Sequence, residues 1–226
     1  MKEKNIFVAC DFSTQNEAVN LIEQIQNDIF GIKVGLQYIT STGIEGIKAL
    51  SKFNLPIMYD GKYLDIKNTL VASTKSLKGL GISYATVHLL NGEDALKEAA
   101  KAADEISVKL IGISVLTNFL DKDLKALGFS NTVEKQVEKL VKIAANANLW
   151  GVVCSPIECK IVKQISTQLV CLTPGIRLKS DKHDQKRTLT PKKAIANGSD
   201  YLIIGREITS GNPKENIKNI VNSINK

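Results

Sequence analysis

No CxxC pair occurs in this chain, and its four cysteines (Cys10, Cys154, Cys159, Cys171) are spaced neither as a disulfide framework nor as a zinc site. Three of them sit in apolar runs, so they read as buried free thiols of a cytosolic protein. No apolar run approaches the roughly 18 residues that cross a bilayer, so no membrane partner is expected. Met1-Lys2-Glu3-Lys4 leads straight into Ile6-Phe7-Val8-Ala9 without a long apolar segment. No signal peptide is expected, therefore, and the cytoplasm is the expected location. Glycine and proline are too few (15 and 5) for a collagenous chain, and 43% hydrophobic with 23% charged residues excludes a disordered one. Aromatics are scarce at 5%, and arginine is scarcer, because 27 of the 30 basic residues are Lys. Those lysines are spread along the whole chain without a compact basic cluster interleaved with aromatics. The net charge of +7 therefore reads as a solvated surface, and no nucleic-acid polymer is expected as a partner. The three arginines, Arg177, Arg187 and Arg206, fall within one 30-residue stretch. Arginine concentrated there suggests planar, bidentate contacts to an anion.

What the chain does have is regular alternation of short β-branched runs with amphipathic stretches. The runs Asn5–Asp11, Gly31–Val34, Ile57–Lys62, Ala85–Leu89, Leu110–Val115, Gly151–Cys154, Leu169–Thr173 and Tyr201–Gly205 read as strands. Helical periodicity follows each, near Glu17–Ile25, Gly43–Ser51, Thr69–Leu80, Ala95–Ile106, Val133–Ala147, Ile157–Ile165, Pro191–Asn197 and Asn216–Ile224. Eight such units without a linker predict an α/β fold of one domain over residues 1–226, a closed (β/α)8 TIM barrel. A doubly wound open sheet is the alternative, weakened by the lack of GxGxxG after the first strand. The longest gap, Pro174–Thr190, is the kind of loop that is usually functional or mobile.

Active sites of such barrels lie at the C-terminal ends of the strands. The polar residues closing the apolar runs are Asp11, Lys33, Asp60, Lys62, His88, Thr117, Ser155, Arg177 and Arg206. Asp60 and Lys62 share a strand face at spacing i, i+2 and so project together into the barrel mouth. Lys33 closes the neighbouring strand. Alternating charges in one desolvated cup read either as a structural ion-pair network, with Asp65 capping the next helix, or as a proton-transfer site. Asp11 has a similar second reading as a cap of the first helix. His88 reads as a hydrogen-bonded core histidine, His183 as solvated, and Arg187 as a partner of Asp181 or Asp184. Tyr38, Tyr63 and Trp150 need no role beyond packing.

The run Asp60-x-Lys62-x-x-Asp65-Ile66-x-Asn68-Thr69 resembles the signature of the orotidine 5′-phosphate decarboxylase family. The resemblance extends through Ala9-Cys10-Asp11, Lys33-Val34-Gly35, Val115-Leu116-Thr117 and Gly151-Val152-Val153-Cys154-Ser155. It is strongest in Thr173-Pro174-Gly175-Ile176-Arg177, Asp184-Gln185-Lys186-Arg187, Thr190-Pro191 and Ile204-Gly205-Arg206-Glu207-Ile208-Thr209.

The resemblance implies decarboxylation of orotidine 5′-phosphate to uridine 5′-phosphate, the last step of de novo pyrimidine nucleotide synthesis, with no metal and no organic cofactor. It implies that Lys33, Asp60, Lys62 and Asp65 are catalytic, Lys62 as general acid. Asp11 and Lys33 would hold the ribose hydroxyls, and Thr117 would face the pyrimidine. Arg177, Gln185, Gly205 and Arg206 would surround the phosphate. Asp65, Ile66 and Thr69 would reach a partner's site, which implies a homodimer with shared active sites. Three positions depart from the family pattern. Lys67 stands where proline is common and would loosen that turn. Gly61 adds backbone freedom between the catalytic positions. Leu89-Leu90 replaces small residues after His88. Two competing readings are a magnesium-dependent sugar-phosphate lyase of the same barrel superfamily, which shares the DxKxxD core, and a non-catalytic phosphate-binding barrel.

Overall fold

The computed structural model describes residues 5–178 and 187–225. Its eight strands are β1 (Ile6–Cys10), β2 (Gly31–Gly35), β3 (Ile57–Tyr63), β4 (Tyr84–His88), β5 (Lys109–Ile113), β6 (Gly151–Val153), β7 (Val170–Thr173) and β8 (Tyr201–Ile204). All neighbours pair in parallel, and β1 pairs with both β2 and β8, so the sheet closes into the expected barrel. The helices are α1 (Gln15–Ile25), α2 (Leu36–Ser51), α3 (Lys67–Lys75), α4 (Glu93–Asp104), α5 (Asp121–Ala126), α6 (Val133–Asn146), α7 (Cys159–Ile165), α8 (Pro191–Ala196), α9 (Arg206–Thr209) and α10 (Pro213–Asn225).

Strand alternation sorts the side chains into two cores. Ile6, Val8 and Cys10 of β1 point outward and join Val34, Ile57 and Val152 beneath the helices. Phe7, Ala9, Met58, Tyr84, Ile111, Leu172 and Ile203 fill the barrel interior. A group of aromatics packs inside it: Phe7 makes edge contacts with Phe30 and Tyr84, and Tyr84 leans on Trp150. These rings fill the N-terminal end of the interior, so the polar in-facing residues are left to the opposite end.

Several boundaries differ from the sequence expectation. The second helix begins at Leu36, well before Gly43, because two helical pieces join across a kink there. Gly43 sits at φ 61° and ψ −154°, a conformation open to glycine alone. The third helix ends at Lys75 and not at Leu80, since the chain passes into turns at Ser76–Leu80. The short helices α5 and α9 went unread because neither is long enough to show a period.

Candidate active site

The in-facing alternation that places Phe7 and Met58 inside the barrel also carries Asp11, Lys33, Asp60 and Lys62 to its C-terminal mouth. They line a cavity of about 290 Å³ together with Thr117, Arg177, Gly205 and Arg206. Eight of the twelve expected site residues therefore converge on one pocket.

Asp60 is the centre of its charge network. Its Oδ2 accepts from Lys62 Nζ at 2.8 Å and lies 3.4 Å from Lys33 Nζ. Its Oδ1 accepts from the buried Thr86 hydroxyl at 3.0 Å. Lys33 also donates to Asp11 Oδ1 at 3.1 Å. Burial alone would push the Asp60 carboxyl up, but the charges of Lys33 and Lys62 outweigh it, aided by hydrogen bonds from Lys62 and Thr86. The carboxyl is held below its ordinary 3.8. Burial likewise disfavours the charged form of Lys33, and Asp60 and Asp11 reverse this, so its ammonium is held above 10.5. Asp11 is thus not the cap of the first helix; Thr14 fills that role, in a capping box with Glu17. Gly35 leaves room for this pair, since a Cβ there would lie 2.6 Å from Asp11 Oδ1 and 2.8 Å from Lys33 Nζ and displace them.

Local backbone geometry aims Lys62. The register of β3 against β4 shifts between Tyr59 and Tyr63, and Lys62 adopts a left-handed φ of 49°. Its backbone N–H donates to Thr86 Oγ1 at 2.9 Å, so one threonine anchors both Asp60 and the chain at Lys62. The shift was not readable from the sequence, and neither was Thr86. Gly61 serves close packing more than freedom: a Cβ there would meet the Tyr59 ring at 2.5 Å, beside the Tyr59–Tyr63 ring contact.

Asp65, Ile66 and Thr69 are exposed and stand outside this pocket. Asp65 Oδ1 accepts from the Ile66 N–H at 2.7 Å, and no side chain caps α3. The turn that Lys67 was expected to loosen is tied down by other contacts. Asn91 donates to the carbonyls of Tyr63 and His88 and accepts from the Asp65 N–H, while Lys67 pairs with Asp94 at 2.9 Å. In the departure after His88, Leu89 is buried and Leu90 is exposed. His88 is half-buried at the end of β4 and accepts from the Leu90 N–H through Nδ1. Burial and the nearby Lys62 charge hold its pKa below 6.5.

Across the pocket, Arg177 is buried and lies 3.9 Å from Glu207. Gln185, His183, Asp181 and Asp184 lie outside the described residues. Among the described residues Arg187 pairs with buried Glu158. Arg187 Nη2 also donates to the carbonyl of Leu116 at 2.9 Å, beside Thr117. Glu158 in turn accepts from the Ser155 N–H, and the Ser155 hydroxyl donates to the Arg187 carbonyl. Glu158 escaped the sequence reading because it lies on no strand end.

Comparison with known proteins agrees with the resemblance. Residues 4–220 match the model of the Orotidine 5′-phosphate decarboxylase / HUMPS family. The orotidine 5′-phosphate decarboxylase of Wolbachia pipientis subsp. Culex pipiens is 38% identical over 221 residues, covering 97% of this chain and 98% of the relative. That of Legionella pneumophila is 38% identical over 216 residues, covering 93% and 94%. A solved structure of the enzyme from Lactobacillus acidophilus superposes with a TM-score of 0.85 at 30% identity, covering 99% of this chain and 100% of that one. With the barrel, the Asp60–Lys62 pair and these full-length matches together, the chain belongs to the Orotidine 5′-phosphate decarboxylase / HUMPS family.

Proposed function

We propose that this protein is a carboxy-lyase that converts orotidine 5′-phosphate to uridine 5′-phosphate and carbon dioxide, without metal or organic cofactor. The observation that carries the reading is Lys62 Nζ held 2.8 Å from Asp60 Oδ2 at the mouth of a pocket also lined by Arg177 and Arg206. Breaking the bond between the ring and its carboxylate leaves an electron pair on a ring carbon with no adjacent carbonyl to receive it. A cofactor normally supplies such a sink; here fixed charge takes its place. The Asp60 carboxylate, ionised under its two ammonium partners, repels the substrate carboxylate and favours its departure. The Lys62 ammonium faces the electron pair as it develops, then delivers its proton to that carbon and is reprotonated from solvent. Asp11 and Lys33 bind the ribose hydroxyls, and Thr117 faces the pyrimidine. Arg177, Gln185, Gly205 and Arg206 receive the phosphate, whose binding energy is available to the chemical step.

Asp65, Ile66 and Thr69 complete the site of a second copy, so the active form is a homodimer of single-domain chains. Their exposure at the start of α3, next to exposed Leu64, supports this assignment. No helix among the described residues is long and apolar enough to cross a membrane. Four buried free thiols fit a reducing compartment, the cytoplasm.

The magnesium-dependent sugar-phosphate lyase is disfavoured by the surroundings of Asp60. Both of its oxygens are engaged, one by two ammonium groups and one by Thr86. A divalent cation would have to displace those ammonium groups. The test is to mix the protein with orotidine 5′-phosphate in excess chelator and follow loss of the orotate absorbance. Full activity in chelator is expected. Activity lost in chelator and restored by magnesium would establish the lyase reading, and no turnover in either condition would leave a binding barrel.

A further inference from the structure

Three of the four cysteines lie outside the pocket and together. Val153 and Leu172 face the barrel interior, so their neighbours Cys154 and Cys171 turn outward, toward the helices. Cys159 opens α7. All three are fully buried. Their sulfur atoms lie within 4.8 Å of one another, and Cys154 Sγ is 4.0 Å from Cys159 Sγ. Three separate segments thus deliver one thiol each to a single point in the layer between barrel and helices.

Buried thiols often serve as small apolar side chains, a role that valine or alanine fills equally well. The sulfur spacing here goes further. Ligands about 2.3 Å from one centre in a trigonal plane stand about 4 Å apart. One pair already has that separation, and the outer limit of 4.8 Å needs a contraction of only about 0.8 Å.

We propose that Cys154, Cys159 and Cys171 form a three-thiolate binding site for a soft monovalent cation, copper(I). Thiolate ligands select copper(I), zinc and iron–sulfur clusters. Structural zinc closes its shell with four protein ligands, and iron–sulfur clusters take four cysteines. Among the described residues this group holds three ligands, with no histidine or carboxylate as a fourth. Its burial keeps water from filling that place. Binding releases the three thiol protons to solvent and leaves copper in its monovalent state, so no electron is transferred. The resulting negative charge has Lys163 at its edge, one turn beyond Cys159 in α7, where the ammonium also pairs with Asp200 at 2.7 Å. The site also brackets the Ser155–Glu158 turn, so an ion there fixes both ends of the segment that holds Arg187.

The test is prolonged anaerobic incubation of the full chain with copper(I) held by a chromogenic chelator. One equivalent per chain is expected to leave the chelator, with thiolate-to-copper absorption in the near ultraviolet. X-ray absorption of this wild-type complex should show three sulfurs at about 2.3 Å. Cys159→Ala and Cys171→Ser should each weaken binding at least tenfold, and Cys10→Ser should leave it unchanged. Copper that stays on the chelator, or unchanged affinity in a folded Cys171→Ser variant, would overturn the proposal. So would a shell of two or four sulfurs, a result that wild-type protein gives without any variant having to fold.

Discussion

Lys62 holds a left-handed φ of 49°. A non-glycine residue in that region stores about 1–3 kcal/mol, retained only where the surroundings over-determine it. Here the constraints are the Thr86 hydroxyl on the backbone and Asp60 on the ammonium. The same network makes stability depend on pH at both extremes. Asp60 titrates below 3.8 in the folded chain, so its contribution to stability is present above that value and is lost as pH falls through the lowered one. Lys33 titrates above 10.5, so its contribution is present below that value and is lost as pH rises through the raised one. Urea midpoints followed against pH should therefore fall on both sides of a plateau, and Asp60→Asn should flatten the acid side. An acid limb of unchanged slope in that variant would assign the loss to other carboxylates. Arg206 acts at the far end of the pocket. Arg206→Ala should cost about 3 kcal/mol in kcat/KM with the phosphorylated substrate, the upper range for a hydrogen bond to a charged group. It should cost little with the nucleoside lacking the phosphate, whereas equal losses on both would make Arg206 structural.

The two ends of the Pro174–Thr190 segment are laced to each other. The Arg177 N–H donates to the Leu189 carbonyl at 3.0 Å, and the Leu189 N–H to the Gly175 carbonyl at 3.1 Å. Arg187 is then held by Glu158 on one side and the Leu116 carbonyl on the other. Removing one partner of a buried ion pair strands the other, at a cost of about 3–5 kcal/mol. Glu158→Gln should lose stability on that scale in urea denaturation, and Glu158→Gln with Arg187→Gln should recover part of it. A double variant no better than the single would show that Arg187 finds another anion. This pair also shows where sequence reading stops. Short β-branched runs made the eight strands legible, and with them the polar residues that close them. Contacts between distant loops leave no period: Glu158 and Arg187 lie far apart in the chain, and Thr86 resembles any buried strand threonine. The kink at Gly43 and the short helices α5 and α9 were hidden for the same reason, because each depends on backbone geometry or length below one readable period.

The whole molecule presents one barrel, with the DxKxxD motif divided between the inside of its pocket and the outside. Asp60 and Lys62 face the cavity, while Asp65, Ile66 and Thr69 stand exposed beyond the end of β3. The spacing in DxKxxD was legible from the sequence and the resemblance implied the division, but the exposure of its second half was visible only once the end of β3 and the turn before α3 were placed. If Asp65 serves the partner's site while Lys62 serves its own, each site draws on both chains. Lys62→Ala and Asp65→Ala should each be nearly inactive alone. In a mixed dimer one site inherits both defects, and the other receives intact Lys62 from one chain and intact Asp65 from the other. Random exchange makes about half of all dimers mixed, by the two-fold symmetry of the assembly. One whole site in each of these restores roughly a quarter of wild-type activity. The two variants are to be co-unfolded and refolded at equal amounts, with mixed dimers confirmed by a mass tag on one chain. Activity that stays at the level of the parents despite those mixed dimers would place Asp65 in the site of its own chain, and the exposed turn before α3 would then have to fold inward when substrate binds.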